Sequence, residues 1–265
     1  MQNEANLTAR EIIDIIESVA PLSQQEGWDN SGLQTGRRET EVARVLLCTD
    51  VQDETVEEAV RKGCQMIISH HPLLFHGLKR IEGLTREERC AIKAIQHGIV
   101  IYSSHTAMDT YLHGVSGRMA EKLGIKDYEI LSPEGGDTGL GVTGELQKPL
   151  GLEEFLMLLK QTFHTTCIRY TEKKQENNII SKVALCGGAG SEFMENAIRQ
   201  GADAYVTADV KYHEMQAADG RINMFDIGHF ESEQFTKEVF EDLLRDHDVE
   251  CVIAESDTSC VKAYS

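Results

Sequence analysis

The sequence has 265 residues, with 26 Lys and Arg against 44 Asp and Glu, for a formal net charge of −18. That length suits two α/β lobes better than one small core. So acidic a surface repels phosphate backbones and disfavours nucleic acid as a partner, and no apolar run reaches membrane-spanning length.

Taken in chain order, the first element is a helix. Thr8 and Glu11 form a capping box ahead of Ile12, Ile13, Ile15, Ile16 and Val19, and Pro21 follows. A polar turn, Trp28-Asp29-Asn30-Ser31-Gly32, comes next. Ala43 to Cys48 reads as a strand, and Asp53 as the cap of a helix through Val56, Ala59 and Val60 that stops near Gly63. Met66 to Ile68 makes a second strand, ending at Ser69-His70-His71-Pro72. A helix then starts at Thr85, with Glu88 as its box partner, and closes at Gly98. A third strand, Ile99 to Tyr102, leads into Ser103-Ser104-His105-Thr106-Ala107-Met108-Asp109.

The middle is less regular. Gly135-Gly136 and Gly139 to Leu146 suggest turns and a strand, Leu152 to Phe163 a helix, Cys167 to Tyr170 a strand, and Lys173 to Asn178 a polar turn. Alternation then resumes. Lys182 to Leu185 is a strand, Cys186 to Ser191 a tight loop, and Phe193, Ala197 and Ile198 lie on a helix. Ala204 to Thr207 is a strand followed by a short helix from Tyr212. Ile222 to Ile227 is a strand ending at Gly228-His229. One helix carries Glu233, Phe235, Val239 and Leu243, and Cys251 to Ala254 is a last strand. Strands alternating with helices predict a largely parallel sheet. Arg61-Lys62-Gly63 before one strand mirrors Arg199-Gln200-Gly201 before another, which reads as a diverged structural duplication.

The seven cysteines, Cys48, Cys64, Cys90, Cys167, Cys186, Cys251 and Cys260, are scattered, odd in number and without CxxC spacing. They read as reduced and mostly buried thiols. The opening MQNEANLTAR has no apolar stretch of the signal-peptide kind, so the expected location is cytoplasmic.

Side chains at the carboxyl ends of parallel strands converge in the crevice above the sheet. Three histidine-bearing segments fall there: His70-His71, His105 to Asp109, and His229 to Glu233. A lone histidine is ordinarily just a hydrogen-bonded polar residue. Three such strand ends, two with a carboxylate four positions on, point to metal ligands on shared helix faces. His76, His97, His113, His164 and His247 keep the ordinary reading. Asp209 and His213, also four apart, are candidates for proton transfer or for supporting the site. The Cys186 to Ser191 loop lacks both the full GxGxxG pattern and a Walker lysine, so turn geometry explains it better than phosphate binding.

Six ordered motifs now stand together: Trp28-Asp29-Asn30-Ser31-Gly32-Leu33, Ser69-His70-His71-Pro72, His105-Thr106-x-x-Asp109, Gly187-Gly188-Ala189-Gly190, Thr207-x-Asp209-x-Lys211-Tyr212-His213 and Gly228-His229-x-x-x-Glu233. In that order and spacing the chain resembles the Nif-three-like family, whose members are labelled GTP cyclohydrolase I type 2 homologs or dinuclear metal centre proteins. The resemblance implies two related three-layer α/β lobes, with residues 1–127 and 235–265 in lobe 1 and 128–234 in lobe 2. It also implies a homohexamer in the compact form without the family's large insertion, and a site for two divalent metals in the cleft between lobes. By motif, His70 and His71 serve separate metals, Asp109 binds one, His229 the other, Glu233 bridges both, and His105 supports the site from behind. Ala208 and Ala107 depart from the usual Gly and Asn, neither at a ligand position.

Histidine and carboxylate donors without cysteine favour Zn, Fe, Mn, Co or Ni over Mg or Ca. The expected activity is metal-dependent hydrolysis of a small-molecule substrate, with Asp209 or His213 moving protons. GTP ring opening and a non-enzymatic metal-handling role are the alternatives. No strong guanine- or triphosphate-reading motif is present.

Overall fold

The computed structural model describes residues 6–136, 138–174, 178–256 and 258–262. The architecture is α/β, in two compact units. One runs to Met108 and takes in Thr236–Ser259; the other is Asp109–Phe235 with the last described residues from Cys260.

The first unit has a five-stranded sheet. Strands Glu250–Ile253, Arg44–Cys48, Met66–Ser69 and Val100–Ser103 are parallel neighbours in that order, and Gly32–Thr35 closes the far edge antiparallel to Val100–Ser103. All four residues of Met66–Ser69 and of Val100–Ser103 are buried, as expected for strands covered on both faces. On one face, Leu46, Ile67 and Ile101 pack against Val56 and Ala59 of helix Asp53–Lys62 and against Cys90, Ala91 and Ala94 of helix Arg86–Gln96. On the other, Tyr102 donates its hydroxyl to Glu17 at the end of helix Ala9–Glu17. That first helix begins with the expected capping box. Thr8 N–H donates to Glu11 Oε2 at 2.7 Å, and Ile12, Ile13 and Ile16 are fully buried.

The second unit has a six-stranded mixed sheet, ordered Tyr128–Gly135, Thr138–Gly151, Ile179–Ala189, Ala204–Ala208, Asn223–Asp226, Arg169–Tyr170. Only the middle three are mutually parallel. The expected largely parallel sheet is therefore confined to part of this unit, because a long antiparallel hairpin fills one side. Gly139, Gly141 and Gly144 lie where neighbouring chain presses close. A Cβ on Gly139 would lie 2.3 Å from the Ser132 carbonyl oxygen. One face buries Phe155, Leu159 and Phe163 of helix Leu152–Phe163; the other buries Met194 and Ala197 beneath Tyr205 and Met224. Helix Val115–Lys122, which a division after residue 127 assigns to the first lobe, contributes Met119 and Ala120 to this unit's core.

Several boundaries differ from expectation for local reasons. The cap of helix Asp53–Lys62 is Gln52; Asp53 instead pairs with Arg89 at 2.7 Å. Glu88 gives its carboxylate to the backbone N–H groups of Glu82 and Leu84, so it anchors the preceding loop and makes no box. The long helix expected from His229 is two, His229–Glu233 and Thr236–Leu244, and the units divide between them. The polar turn at Lys173 to Asn178 includes residues 175–177, which lie outside the described residues. Among the described residues no helix is long and apolar enough to cross a membrane.

Candidate metal centre

In the first unit the backbone ladder carries on past the strand ends and so fixes the residues just beyond them. His70 N–H donates to the Cys48 carbonyl at 3.2 Å, His71 N–H to Thr49 at 2.9 Å, and Ser104 N–H to Ser69 at 3.0 Å. Ser69 and Ser103 join side chains beneath this layer at 2.8 Å. The result brings His70, His71 and His105 together. One ligand-type nitrogen from each lies within 4.8 Å of the others, and ring centroids are 4.9 to 5.3 Å apart.

Each ring is held from behind. His70, fully buried, places Nδ1 3.1 Å from the Ser104 carbonyl, and His71 places Nδ1 2.7 Å from Asp50 Oδ1. His105 Nδ1 is 2.9 Å from Asp29 Oδ1, and the same carboxylate accepts from the Ser31 and Thr106 hydroxyls. Burial alone would push the Asp29 carboxyl up; the hydrogen bonds from His105, Thr106 and Ser31 outweigh it and hold it well below the usual carboxylate range. A carbonyl or carboxylate behind Nδ1 selects the tautomer that donates there and turns Nε2 forward in its lone-pair form.

The second unit repeats this logic once. His229 opens the short helix His229–Glu233, with Nδ1 2.7 Å from Asp209 Oδ2 and Nε2 3.1 Å from Glu233 Oε2. Glu233 is 3% exposed, so its carboxylate is built into the protein. Gly188 makes the room. A Cβ there would lie 2.3 Å from Glu233 Oε1, and its φ of +62° already suits glycine. The Gly188 N–H donates to Ser232 Oγ at 2.9 Å, and that hydroxyl donates to the His229 carbonyl, so loop and helix are tied together.

The remaining expected site residues are more dispersed in role. Asp109 ends the short helix Thr106–Asp109, and its charge contributes, after burial, to pushing the Cys186 thiol up. His105 lies one residue before that helix, so the helix-face spacing expected for His105 and Asp109 does not apply, whereas it does for His229 and Glu233. Asp209, at a φ of +53°, sits behind His229. His213 is exposed on helix Tyr212–Ala218, with Nδ1 3.4 Å from Gln216 Oε1.

Sequence reasoning gave no role in the site to Asp50, Asp29 or Gly188. Asp50 carried a usable signal, since it follows a buried strand at the same end as the histidines. Asp29 and Gly188 sat inside segments that read as turns.

The donor chemistry fits divalent cations of the borderline kind: imidazoles backed by acceptors, with a buried carboxylate beside one of them. Residues 7–259 match the family described as Duf34/NIF3 (NGG1p interacting factor 3). A Clostridium perfringens protein named GTP cyclohydrolase 1 type 2 homolog is 35% identical over 253 residues, covering 92% of this chain and 95% of its own. A Streptococcus pneumoniae protein of the same name is 32% identical, covering 84% and 85%. Among solved structures, SA1388 of Staphylococcus aureus superposes with a TM-score of 0.90 at 25% identity, over 98% of this chain and 100% of that one. A Bacillus cereus protein related to NIF3 shares the fold with a TM-score of 0.88 at 23% identity, over 97% and 99%. By sequence and by fold, over nearly its whole length, the chain belongs to the Duf34/NIF3 family.

Proposed function

We propose that the protein binds two divalent cations through His70, His71, Asp109, His229 and Glu233, with Glu233 bridging, and uses them to hydrolyse a small-molecule substrate. One observation carries this reading. His70, His71, His105 and His229 each commit Nδ1 to a carbonyl or carboxylate, which is how proteins prepare imidazole for a metal. Bound divalent cations supply Lewis-acid activation of water and of a substrate oxygen. The chain's own residues do the positioning. Asp50 and Asp209 orient His71 and His229, His105 braces the cluster beside His70, and Asp209 or His213 moves protons. A homohexameric assembly, implied by the family resemblance, belongs to the same proposal.

A second reading, ring opening of GTP, is favoured by the name its relatives carry. Formate release from GTP separates the two.

The test is elemental analysis of freshly purified protein, with light scattering and a screen over phosphoester, amide and nucleotide substrates on the same sample. The expected result is two cations per chain, a hexamer, and metal-dependent turnover. Glu233→Ala is expected to lose both cations and Asp109→Ala mainly one. Full occupancy in Glu233→Ala removes the bridging assignment. Metal without turnover across the panel moves the protein to metal handling, and a monomer contradicts the assembly.

A further inference from the structure

Beside the first unit's histidine cluster lie two aromatic rings that the fold leaves exposed. Trp28 is 59% exposed and Phe75 40%. Their centroids are 5.9 Å apart at an interplanar angle of 49°. Both meet His105 edge-on, Trp28 at 5.9 Å and Phe75 at 6.4 Å. Large aromatic side chains normally stabilise a protein by burying most of their surface, so leaving a pair in water gains the fold little.

The pair is nevertheless held in place. Asp29, next to Trp28, has a fully buried carboxylate engaged by His105, Ser31 and Thr106. Asn30 donates to the Leu74 carbonyl at 2.6 Å, and Leu74 N–H donates to Gln34 Oε1 at 3.0 Å, which pins the backbone next to Phe75. The same carboxylate therefore fixes both a cluster histidine and the loop bearing the tryptophan. Exposed rings on a rigid mount, directly against candidate metal ligands, have the attributes of a ligand subsite.

We propose that Trp28 and Phe75 form a platform that receives a planar heteroaromatic ring of nucleobase size, the recognition element of the substrate. This rests on the metal-dependent reading above and names its substrate class. The 49° opening between the rings rules out a flat ring sandwiched between two parallel faces. It suits one face of stacking and one edge contact. His76, exposed with its ring 5.0 Å from Phe75, puts a polar nitrogen at the rim for a ring heteroatom. A net charge of −18 gives the protein no long-range attraction for a polyanion, so the ring is the better handle.

Trp28 is the only tryptophan in the chain, so its emission reports on the platform alone. Guanosine, which has a ring and no phosphate, and ribose 5-phosphate, which has a phosphate and no base, are titrated into the full-length metal-loaded protein. The expected result is saturable quenching by guanosine and none by ribose 5-phosphate. By equilibrium dialysis, Phe75→Ala and Trp28→Ala weaken guanosine binding about tenfold, the usual worth of one stacked base, while Trp28→Phe keeps most of it. Metal content, measured on every sample, stays at the wild-type value in all three variants. The proposal is overturned by absent quenching, by quenching from ribose 5-phosphate alone, by unchanged affinity in both alanine variants, or by emission that follows protein concentration and so reports a second copy covering the rings. Wild-type protein without bound metal refutes the metal reading instead, whatever guanosine does.

Discussion

Arg44–Ser103 and Ile179–Asp226 each run strand, helix, strand, helix, strand, with three parallel strands in sequential order. The anchors coincide residue by residue. Gln65 N–H donates to the Arg44 carbonyl at 3.0 Å, and Asp203 N–H to Lys182 at 2.8 Å. Each side chain then accepts from two successive N–H groups of the preceding strand or its entry, Ala43 and Arg44 in one case, Ser181 and Lys182 in the other. Each first helix is followed by a left-handed glycine, Gly63 or Gly201. Counting from these anchors equates Cys48 with Cys186, both buried with burial pushing their thiols up. It also equates Asp50 with Gly188 and His71 with Asp209, and the ladders to the third strands equate Thr106 with His229.

The chemistry at those matched places differs in an informative way. Both units hold a histidine Nδ1 2.7 Å from an aspartate, but the partners come from different positions. In the first, Asp50 holds His71. In the second, the place of His71 is taken by the aspartate, and the place of Asp50 by a glycine that admits Glu233. The frame fixes where side chains can converge, and each copy distributes donor and acceptor over those places in its own way.

Three experiments break or sharpen this equivalence, beginning with the largest effect. Gly188→Ala puts a Cβ against Glu233 at a left-handed φ, so a loss of about 2–4 kcal/mol is expected in urea unfolding, together with lost metal. Asp50→Ala, at the matched position, is expected to leave folding nearly unchanged. Equal destabilisation of the two would show that these places are not specialised. Next, Asp50→Asn and Asp209→Asn are each expected to lower metal affinity by about 10–100-fold through weaker orientation of His71 and His229. An effect in only one, read by competition with a chelator, would confine the His–Asp logic to that unit. Smallest, Gln65→Ala is expected to cost about 1 kcal/mol and Asp203→Ala about 2, since a carboxylate accepting the same pair of N–H groups binds them more strongly. If Asp203→Ala proves the milder change, the two clamps do not share a role.

How much of this was legible from sequence depended on whether a feature was local. The Thr8 capping box, the buried strands and the histidines at their ends come directly from periodicity and chain order. The duplication showed only in Arg61-Lys62-Gly63 and Arg199-Gln200-Gly201. Its true register needs the ladder, which aligns His229 with Thr106 and so places His105 one residue out of step with its apparent counterpart. The hairpin of the second unit was obscured because glycines such as Gly139 and Gly144 interrupt the alternation that marks a strand, and they do so where close packing requires them. Asp29 was given no role because an aspartate in a polar turn looks the same whether it faces water or backs a histidine, whereas the place of Asp50 after a buried strand, at the histidine end, was a clue that went unused.

The first unit takes its edge strand, Glu250–Ile253, from the far end of the chain; Glu250 pairs with Arg44 across 206 residues. During synthesis every residue of Asp109–Phe235 is therefore made before that strand exists. Until it arrives, Arg44–Cys48 offers its unfilled hydrogen-bonding side to whatever strand is near, a surface prone to mispairing and aggregation. The order of translation thus leaves the first unit's sheet open along one edge until the whole sheet of the second unit has been made.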